Sequence, residues 1–442
     1  MQAINQKDKT IAMIGVGRVG LPLSLVLAKE GFDVIGVDID ENRLQALSQG
    51  EMPFLEAGAK ELLQTYFGNG FTVVHESALN YLLPKIDIII LTLGTTIDDS
   101  LNPNLSQITN FFEKFHTSIT KNQLFILRST VSVGTTEYIS KFINEELGLK
   151  VGEDIYLACC PERIAEGNAI KELYELPQII GADDKVSQEE AASIFQKIAK
   201  TILLTDSKSA ELAKLFSNTY RYIDFAIGNE FMLIAESHDR DIYEILNLVN
   251  HEYKRGGLKS PGLTAGACLV KDSFFLIDRS PYLDLVAAAW RINENIPGFL
   301  IDKLKKQVGN LSGKKTSLLG LAFKKDIDDT RNSLSLKLQQ YLKREGAEVY
   351  SHDPYVESYS LEESLKGADI VILSMNHTSF RKLTLEYISS FVDKNCLICD
   401  IWNILGTNKI IFQLPRNLKI IKLEDKKIHK GNGKVNPQVK VI

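Results

Sequence analysis

The sequence predicts an α/β protein in which two parallel-sheet domains flank a central helical domain. Three observations carry this. First, the short apolar run Ile11 to Ile14 leads into Gly15-Val16-Gly17-Arg18-Val19-Gly20, then a helical stretch Leu21 to Lys29 closed by Gly31, then a second run Asp33 to Val37 ending at Asp38. This is strand, glycine turn, helix, strand, acid. Second, Ser209 to Ser237 has helical periodicity, no proline and one internal glycine, Gly228. Third, a further βαβ array follows it, without a full glycine fingerprint, beginning near Leu311. The predicted domains are residues 1–206, 207–305 and 306–442.

In the first domain the glycines allow a tight turn and the close approach of a pyrophosphate, which sits on the helix N-terminus. An acid at the end of the second strand binds both ribose hydroxyls and repels a 2′-phosphate, so Asp38 favours NAD over NADP; Arg43 pulls the other way. Ile88 to Leu91 and Leu124 to Leu127 read as buried parallel strands. The second leads to Arg128-Ser129-Thr130-Val131, and Ile155 to Cys159 runs into Pro161-Glu162-Arg163-Ile164-Ala165-Glu166-Gly167. Ligands bind in such sheets beyond the carboxyl ends of the strands.

In the central domain Lys214, Asn218 and Arg221 are spaced by four and three and share one helix face. That face is either the wall of a pocket or a solvated polar stripe. A second helical stretch runs from Leu283 to Asn295, and helices placed between two α/β units often form a dimer interface. In the third domain Thr316 to Gly320 is a strand, followed by Leu321-Ala322-Phe323-Lys324-Lys325-Asp326, a helix Leu334 to Arg344 ending at Gly346, and strands Glu348 to Ser351, Asp369 to Ser374 and Cys396 to Ile401. Cys396 and Cys399 form a C-x-x-C without a second pair, which reads as buried strand cysteines rather than a metal site; no metal is expected. The lysine-rich tail from Glu424 reads as loose.

At 442 residues the chain exceeds one hydrophobic core. A net charge of −5 gives no general attraction to nucleic acid or anionic membranes. No apolar run reaches the length of a membrane span. Met1 to Thr10 is polar and lacks the apolar centre of a signal peptide, and five cysteines, an odd number, make no disulfide framework. A reducing, cytoplasmic location is the expectation.

The stretch Gly256-Gly257-Leu258-Lys259-Ser260-Pro261-Gly262-Leu263-Thr264-Ala265-Gly266-Ala267-Cys268-Leu269-Val270-Lys271-Asp272 carries the chemistry. Its glycines let backbone approach a bulky ligand. It ends in a thiol with a cation and a carboxylate three and four residues on. A thiol acts as a nucleophile through its thiolate, and nearby positive charge lowers its pKa. The alternative is a flexible loop ending in a structural cysteine.

Taken together, these motifs resemble the nucleotide-sugar 6-dehydrogenase family, which includes the UDP-glucose and UDP-N-acetylhexosamine dehydrogenases. The resemblance spans roughly residues 10 to 410 and rests on Gly15 to Gly20 with Asp38 and Arg43, Pro53-Phe54-Leu55-Glu56-Ala57-Gly58, Ser129-Thr130-Val131, Pro161 to Gly167, Glu211-Leu212-Ala213-Lys214 through Asn218, the Cys268 loop, and Gly320 through Asp329-Thr330-Arg331. It implies two Rossmann-like domains joined by a helical dimerisation domain, and a homodimer or higher homo-oligomer. It implies oxidation of the sugar C6 alcohol to the acid with NAD. By that resemblance Asp272 holds a water as base, Lys214 and Asn218 stabilise the alkoxide and oxyanion, and Cys268 captures the aldehyde. Glu162 and Thr130 place or activate the hydrolytic water. Val16, Gly17, Arg18, Val19, Thr92, Thr130, Glu166 and Arg331 join the NAD site, and Arg163, Arg221, Arg255, Gly262 and Lys324, with Glu162, Lys214 and Asn218, the UDP-sugar site. The cleft between the nucleotide domains is then expected to close.

Departures bear on the substrate. Arg163 follows Pro161-Glu162 where UDP-glucose enzymes usually carry an aromatic, and Trp402 stands where many carry an arginine. Both favour a UDP-N-acetylhexosamine, UDP-N-acetyl-D-mannosamine first, with UDP-N-acetyl-D-glucosamine or UDP-glucose as alternatives. Gly266-Ala267-Cys268 replaces Gly-Gly-x-Cys, and Leu93-Gly94-Thr95-Thr96 stands where the family usually has a proline pair. A nucleotide-sugar binding protein without catalysis and a 3-hydroxyacid dehydrogenase are the rival readings; neither needs Cys268.

Overall fold

The computed structural model describes residues 9–98, 103–255, 257–266, 268–276 and 284–415. The lysine-rich tail, the first eight residues, Gly256, Ala267 and Leu283 lie outside them. The chain forms two compact units: Met1–Ala226 with Ala265–Ile292 and Asp326–Asp328, and Ile227–Thr264 with Asn293–Lys325 and Asp329–Ile442. Both units are parallel-sheet Rossmann-like folds, and the long helix Ser207–Ser237 contributes residues to each.

The first unit is built on an eight-stranded sheet whose strands, in order across it, begin at Ile202, Gln178, Tyr156, Leu124, Ile88, Thr10, Asp33 and Phe71. All neighbours run parallel except the Tyr156–Cys159 and Gln178–Gly181 pair, which meets antiparallel at Cys159 and Gly181. Ile88–Leu91 and Leu124–Leu127 are buried at every position, as continuous apolar strands must be when helices cover both faces. Alternation then divides the core. Ile11 and Met13 pack with Leu23, Leu27 and Phe71 on one face, while Ala12 and Ile14 pack with Ile89, Phe112 and Phe125 on the other. The strands Phe71–His75, Gln178–Gly181 and Ile202–Thr205 escape the sequence reading, because they are short and punctuated by polar residues or glycine.

Glu211 ties the long helix to this sheet. It is 1% exposed, and its carboxylate accepts hydrogen bonds from Gly134 N (2.6 Å), Thr136 N (2.8 Å) and Thr136 Oγ1 (2.7 Å) at the start of the helix Thr135–Glu146. Those N–H groups have no partner within their own helix. Burial raises the Glu211 pKa, and the three donors oppose that rise.

The second unit has a five-stranded sheet whose strands begin, in order, at Glu348, Lys315, Ile370, Leu397 and Ile411, the last antiparallel to Leu397–Asp400. The helix Leu334–Arg344 has the bounds its periodicity predicts. The helix expected to end at Asn295 instead runs from Asp284 to Val308 through Pro297. Ile296, Leu300, Ile301 and Leu304 are all buried on its inner face, and that burial outweighs the backbone bond that proline removes. Among the described residues no helix is long and apolar enough to cross a membrane. Cys399 lies on a strand and Cys396 immediately before it; both are buried, and burial pushes Cys396 up to about 12.

This sheet lacks the glycine fingerprint yet repeats the acid of the first. Asp353 follows the strand Glu348–His352, and its Oδ2 accepts from Leu321 N (2.6 Å) and Ala322 N (3.0 Å), just beyond the strand Lys315–Leu319. Tyr355 N donates to Oδ1 at 2.9 Å, and the buried His377 lies with Nε2 3.1 Å from Oδ2. Burial opposes ionisation, but His377 and the backbone donors prevail and hold Asp353 at about 2, against 3.8 for a free side chain. The folded pKa is the lower one. The carboxylate therefore contributes stability that is complete above about pH 4 and is lost as pH falls towards 2. That contribution is about 2 kcal/mol at neutral pH. Asp353→Asn is expected to lower the thermal midpoint at pH 7, with the gap to the unaltered protein narrowing at pH 3. An equal gap at both pH values, measured by differential scanning calorimetry, counts against this.

Candidate active site

The glycine turn is shaped by contacts that exclude side chains. Gly15 has φ +94°, in the left-handed region, and a Cβ at Gly20 would sit 1.9 Å from Gly15 O. Gly17 faces open space. The helix Gly20–Lys29 starts with no side-chain cap and no acid in its first turn, so the positive end of its dipole suits a phosphate. Thr92 Oγ1 lies 2.5 Å from Gly15 O and 3.0 Å from Ile14 O and fixes the turn from behind. Asp38 is 8% exposed and accepts from Val16 N (3.0 Å), Ile39 N (2.9 Å) and Asp40 N (3.0 Å). Arg43 Nη1 donates to Asp38 at 2.8 Å and its Nη2 lies 3.4 Å from Asp40, so its charge is already matched by two carboxylates. The donor-rich turn and the acid fit a dinucleotide with a free ribose.

The other residues assigned to the cofactor are placed variously. Arg18 donates to Asp328 (2.7 Å), lies 3.9 Å from Glu166 and covers the ring of Phe54. Val19 precedes the helix as its N-cap. Arg331, in the second unit, is exposed and forks onto Asp329 through Nε and Nη2.

The thiol lies in the same unit as the glycine turn. Of five cysteines, four are buried and Cys268 alone is exposed. It caps a six-residue helix, Leu269–Phe274, that the sequence reading did not separate from the loop. The protein around Cys268 raises its pKa, and Asp272 raises it further; Lys271 and Lys214 lower it. Lys214 is buried, with no ion pair or hydrogen bond among the described residues. Asn218, one turn on, is also buried and donates to Asp272 Oδ2 at 2.6 Å. Asp272 is fully buried, and its Oδ1 accepts no hydrogen bond among the described residues. Lys214, Asn218, Asp272 and Cys268 therefore converge, and the helix face carrying the first two is a buried one rather than a solvated stripe. Arg221, further along, is exposed.

Glu162 is buried with both oxygens engaged. Oε1 accepts from Arg163 N (2.6 Å) and Ile164 N (2.9 Å), and Oε2 pairs with Arg128. Arg128 is 1% exposed, donates also to Cys160 O and Gln178 Oε1 (both 2.8 Å) and covers the Phe195 ring. The sequence reading missed Arg128. Its signal was a lone arginine closing a wholly apolar strand, a position a cation occupies only when paired. Glu56, in the Pro53 to Gly58 motif, holds the Pro161 to Gly167 loop by accepting from Gly167 N (2.9 Å) and Ala169 N (2.7 Å). Arg163 donates to Pro177 O. Thr130 is half-buried, and its carbonyl accepts from Thr95 Oγ1 at 2.6 Å.

In the second unit Trp402 packs on Gly262, where a Cβ would lie 2.2 Å from the indole. Its Nε1 donates to Ser374 O at 2.9 Å. Gly262 N donates to Asn229 Oδ1 (2.9 Å), and Asn229 Nδ2 to Asn293 Oδ1 (2.8 Å). Trp402 thus holds the glycine loop where the resemblance suggests an arginine. Lys324 is half-buried after the strand Lys315–Leu319, and Arg255 is exposed over the Tyr253 ring.

Comparison with known proteins decides the family. Residues 9–199, 208–296 and 317–407 match the NAD binding, central and UDP binding domains of the UDP-glucose/GDP-mannose dehydrogenase family. The chain is 32% identical over 413 residues to a UDP-N-acetyl-D-mannosamine dehydrogenase of Methanocaldococcus jannaschii, covering 91% of this chain and 94% of that one. The chain belongs to the UDP-glucose/GDP-mannose dehydrogenase family. It is a nucleotide-sugar dehydrogenase that uses NAD. Its fold is similar to that of a Pyrococcus horikoshii UDP-N-acetyl-D-mannosamine dehydrogenase, with TM-score 0.83, 30% identity and 89% and 96% of the two chains covered. The Staphylococcus aureus UDP-N-acetyl-mannosamine dehydrogenase gives TM-score 0.80 at 26% identity, covering 90% and 96%.

The Asp38–Arg43 pair sets a test. Asp38 repels a 2′-phosphate and also occupies the arginine that would accept one, so NAD+ is expected to have the higher kcat/KM. Asp38→Ala releases Arg43 and should narrow the preference. Equal kcat/KM for NAD+ and NADP+ in the unaltered protein sinks this reading.

Proposed function

We propose that this dehydrogenase carries out a four-electron oxidation at C6 of a UDP-N-acetylhexosamine, UDP-N-acetyl-D-mannosamine first, through a thioester on Cys268. One observation carries the proposal: the exposed thiol of Cys268 stands beside a buried lysine with no ion pair or hydrogen bond among the described residues, and a buried carboxylate whose Oδ1 accepts no hydrogen bond among them. NAD+, held on the Gly15 to Gly20 turn and Asp38, supplies the hydride acceptor for both oxidations.

The residues divide the work as follows. Asp272 Oδ1 takes the proton of the C6 hydroxyl through a water, while Asn218 fixes the carboxylate through Oδ2. Lys214 donates to the C6 oxygen as negative charge develops there, and the second Nδ2 hydrogen of Asn218 does the same. Cys268 Sγ adds to the aldehyde to give a thiohemiacetal. Loss of a second hydride and of the hydroxyl proton leaves a thioester, and water then releases the acid and the thiol. Covalent capture keeps the aldehyde on the enzyme. Thr130 and Glu162 position that water; with Arg128 on its carboxylate, Glu162 suits positioning better than proton abstraction.

The relatives named for UDP-N-acetyl-D-mannosamine support the substrate preference, as does Trp402 in place of an arginine. Arg163, turned to Pro177 O, supports it only through the absence of an aromatic there. Arg221, Arg255, Gly262 and Lys324 remain the proposed UDP-sugar contacts, and Arg331 a proposed cofactor contact. The order of three segments, 1–206, 207–305 and 306–442, is retained as the functional division. A homodimer on the central helices belongs to the same proposal, because Phe216 and Tyr220, one turn apart, are 59% and 70% exposed. A reducing, cytoplasmic setting suits a free catalytic thiol.

Each sugar oxidised should yield two NADH with little free aldehyde; one NADH with a released aldehyde refutes the thioester route. Cys268→Ser should keep NAD+ and UDP binding but lose orders of magnitude in kcat. A structural cysteine instead predicts a lower melting temperature with kcat nearly unchanged, so both are measured on one sample. Across a panel of UDP-sugars, UDP-N-acetyl-D-mannosamine is expected to have the highest kcat/KM. A higher value for UDP-glucose removes the substrate preference.

A further inference from the structure

Lys271 is adjacent in sequence to Asp272 and does not close on it. Its Nζ donates to Thr95 Oγ1 at 2.9 Å and to Thr95 O at 3.1 Å, and lies 5.1 Å from the centre of the Phe275 ring. The separation from Asp272 Oδ1 is 3.6 Å. Thr95 is itself fixed: it is 7% exposed, and its hydroxyl donates to Thr130 O at 2.6 Å. It lies in the Leu93 to Thr96 run that departs from the family pattern. Asp272 Oδ1, the oxygen facing the ammonium, is the one left without a hydrogen bond among the described residues.

We propose that Thr95 is a positioning residue that holds Lys271 away from Asp272, so that Asp272 Oδ1 stays open to accept the proton released by the C6 hydroxyl. A flexible ammonium beside a buried carboxylate closes to a contact of about 2.8 Å unless something else holds it. Contact occupies the oxygen's lone pair and weakens the carboxylate as a base. It also compensates the charge that Lys271 presents to Cys268, where that charge lowers the thiol pKa. The two oxygens of Thr95 and the Phe275 face supply the competing site. The proposal rests on the reading of Asp272 as the proton acceptor. The proton passes through one water to Asp272 Oδ1, and the hydride leaves C6 to NAD+, the oxidant of the established activity.

Thr95→Val removes the hydroxyl and leaves the carbonyl. In its crystal structure Lys271 Nζ should move to about 2.8 Å from Asp272 Oδ1. Turnover of UDP-N-acetyl-D-mannosamine should fall about 10²-fold in kcat, the scale of general-base catalysis, with KM unchanged. Thr95→Ser should restore kcat and the original Lys271 position, and Thr95→Ala should behave as Thr95→Val. In a Lys271→Met background Thr95→Val should have no further effect, because the two residues act through one contact. Three results overturn the proposal: Lys271 unmoved in Thr95→Val, kcat unchanged, or the same loss in the Lys271→Met background, which would trace the effect to Thr130. The crystallographic result stands apart from turnover. Failure of the four-electron reading shows as one NADH per sugar with released aldehyde in the unaltered protein, and failure of this proposal as an unmoved Lys271.

Discussion

Glu211 accepts three hydrogen bonds from the start of the helix Thr135–Glu146 while itself standing in the second turn of Ser207–Ser237. That carboxylate sets where every later turn of the long helix falls relative to the eight-stranded sheet. Lys214 follows it by three residues and Asn218 by seven, so both come out on the same buried face. From there Asn218 reaches Asp272 and fixes the short helix that Cys268 begins. A single buried, fully bonded carboxylate thus anchors the chain of contacts that ends at the thiol. Burying it without those donors would be expensive, and with them it specifies one arrangement.

The thiol sits in opposed fields. Surrounding protein and Asp272 favour the neutral thiol, while Lys214 and Lys271 favour the thiolate. A thiol with a raised pKa resists unwanted oxidation and alkylation, and in the proposed mechanism it is needed as a nucleophile only after an aldehyde forms. The same carboxylate that raises the thiol pKa is the one proposed to receive the proton of the substrate hydroxyl.

The two sheets share a device that their sequences disguise. In each, an acid at the end of the second strand accepts backbone N–H groups from the turn after the first: Asp38 from Val16, and Asp353 from Leu321 and Ala322. The first turn keeps glycines where a dinucleotide must approach. The second adds a buried His377 to its acid and holds it strongly ionised. One geometry suits a cofactor in the first case and the internal rigidity of the domain in the second.

Periodicity and punctuation determined the strands Ile88–Leu91 and Leu124–Leu127, the helices Ser207–Ser237 and Leu334–Arg344 to within two residues, and the glycine turn with its acid. These features depend on local pattern and on backbone conformations open only to glycine, so they are written in consecutive residues. Short strands such as Gln178–Gly181 and the helix through Pro297 were illegible, because burial against distant elements decides them. The sequence also presented Cys268, Lys271 and Asp272 as one motif, but it did not show that Asn218 would hold the carboxylate or that Thr95 would hold the lysine. Nor did it show that Arg128 would occupy Glu162, or that Trp402 would lie on Gly262. Those pairings join residues 34 to 176 positions apart. Only tertiary packing chooses among such partners, since a buried charge or amide takes whichever group the fold brings within about 3 Å.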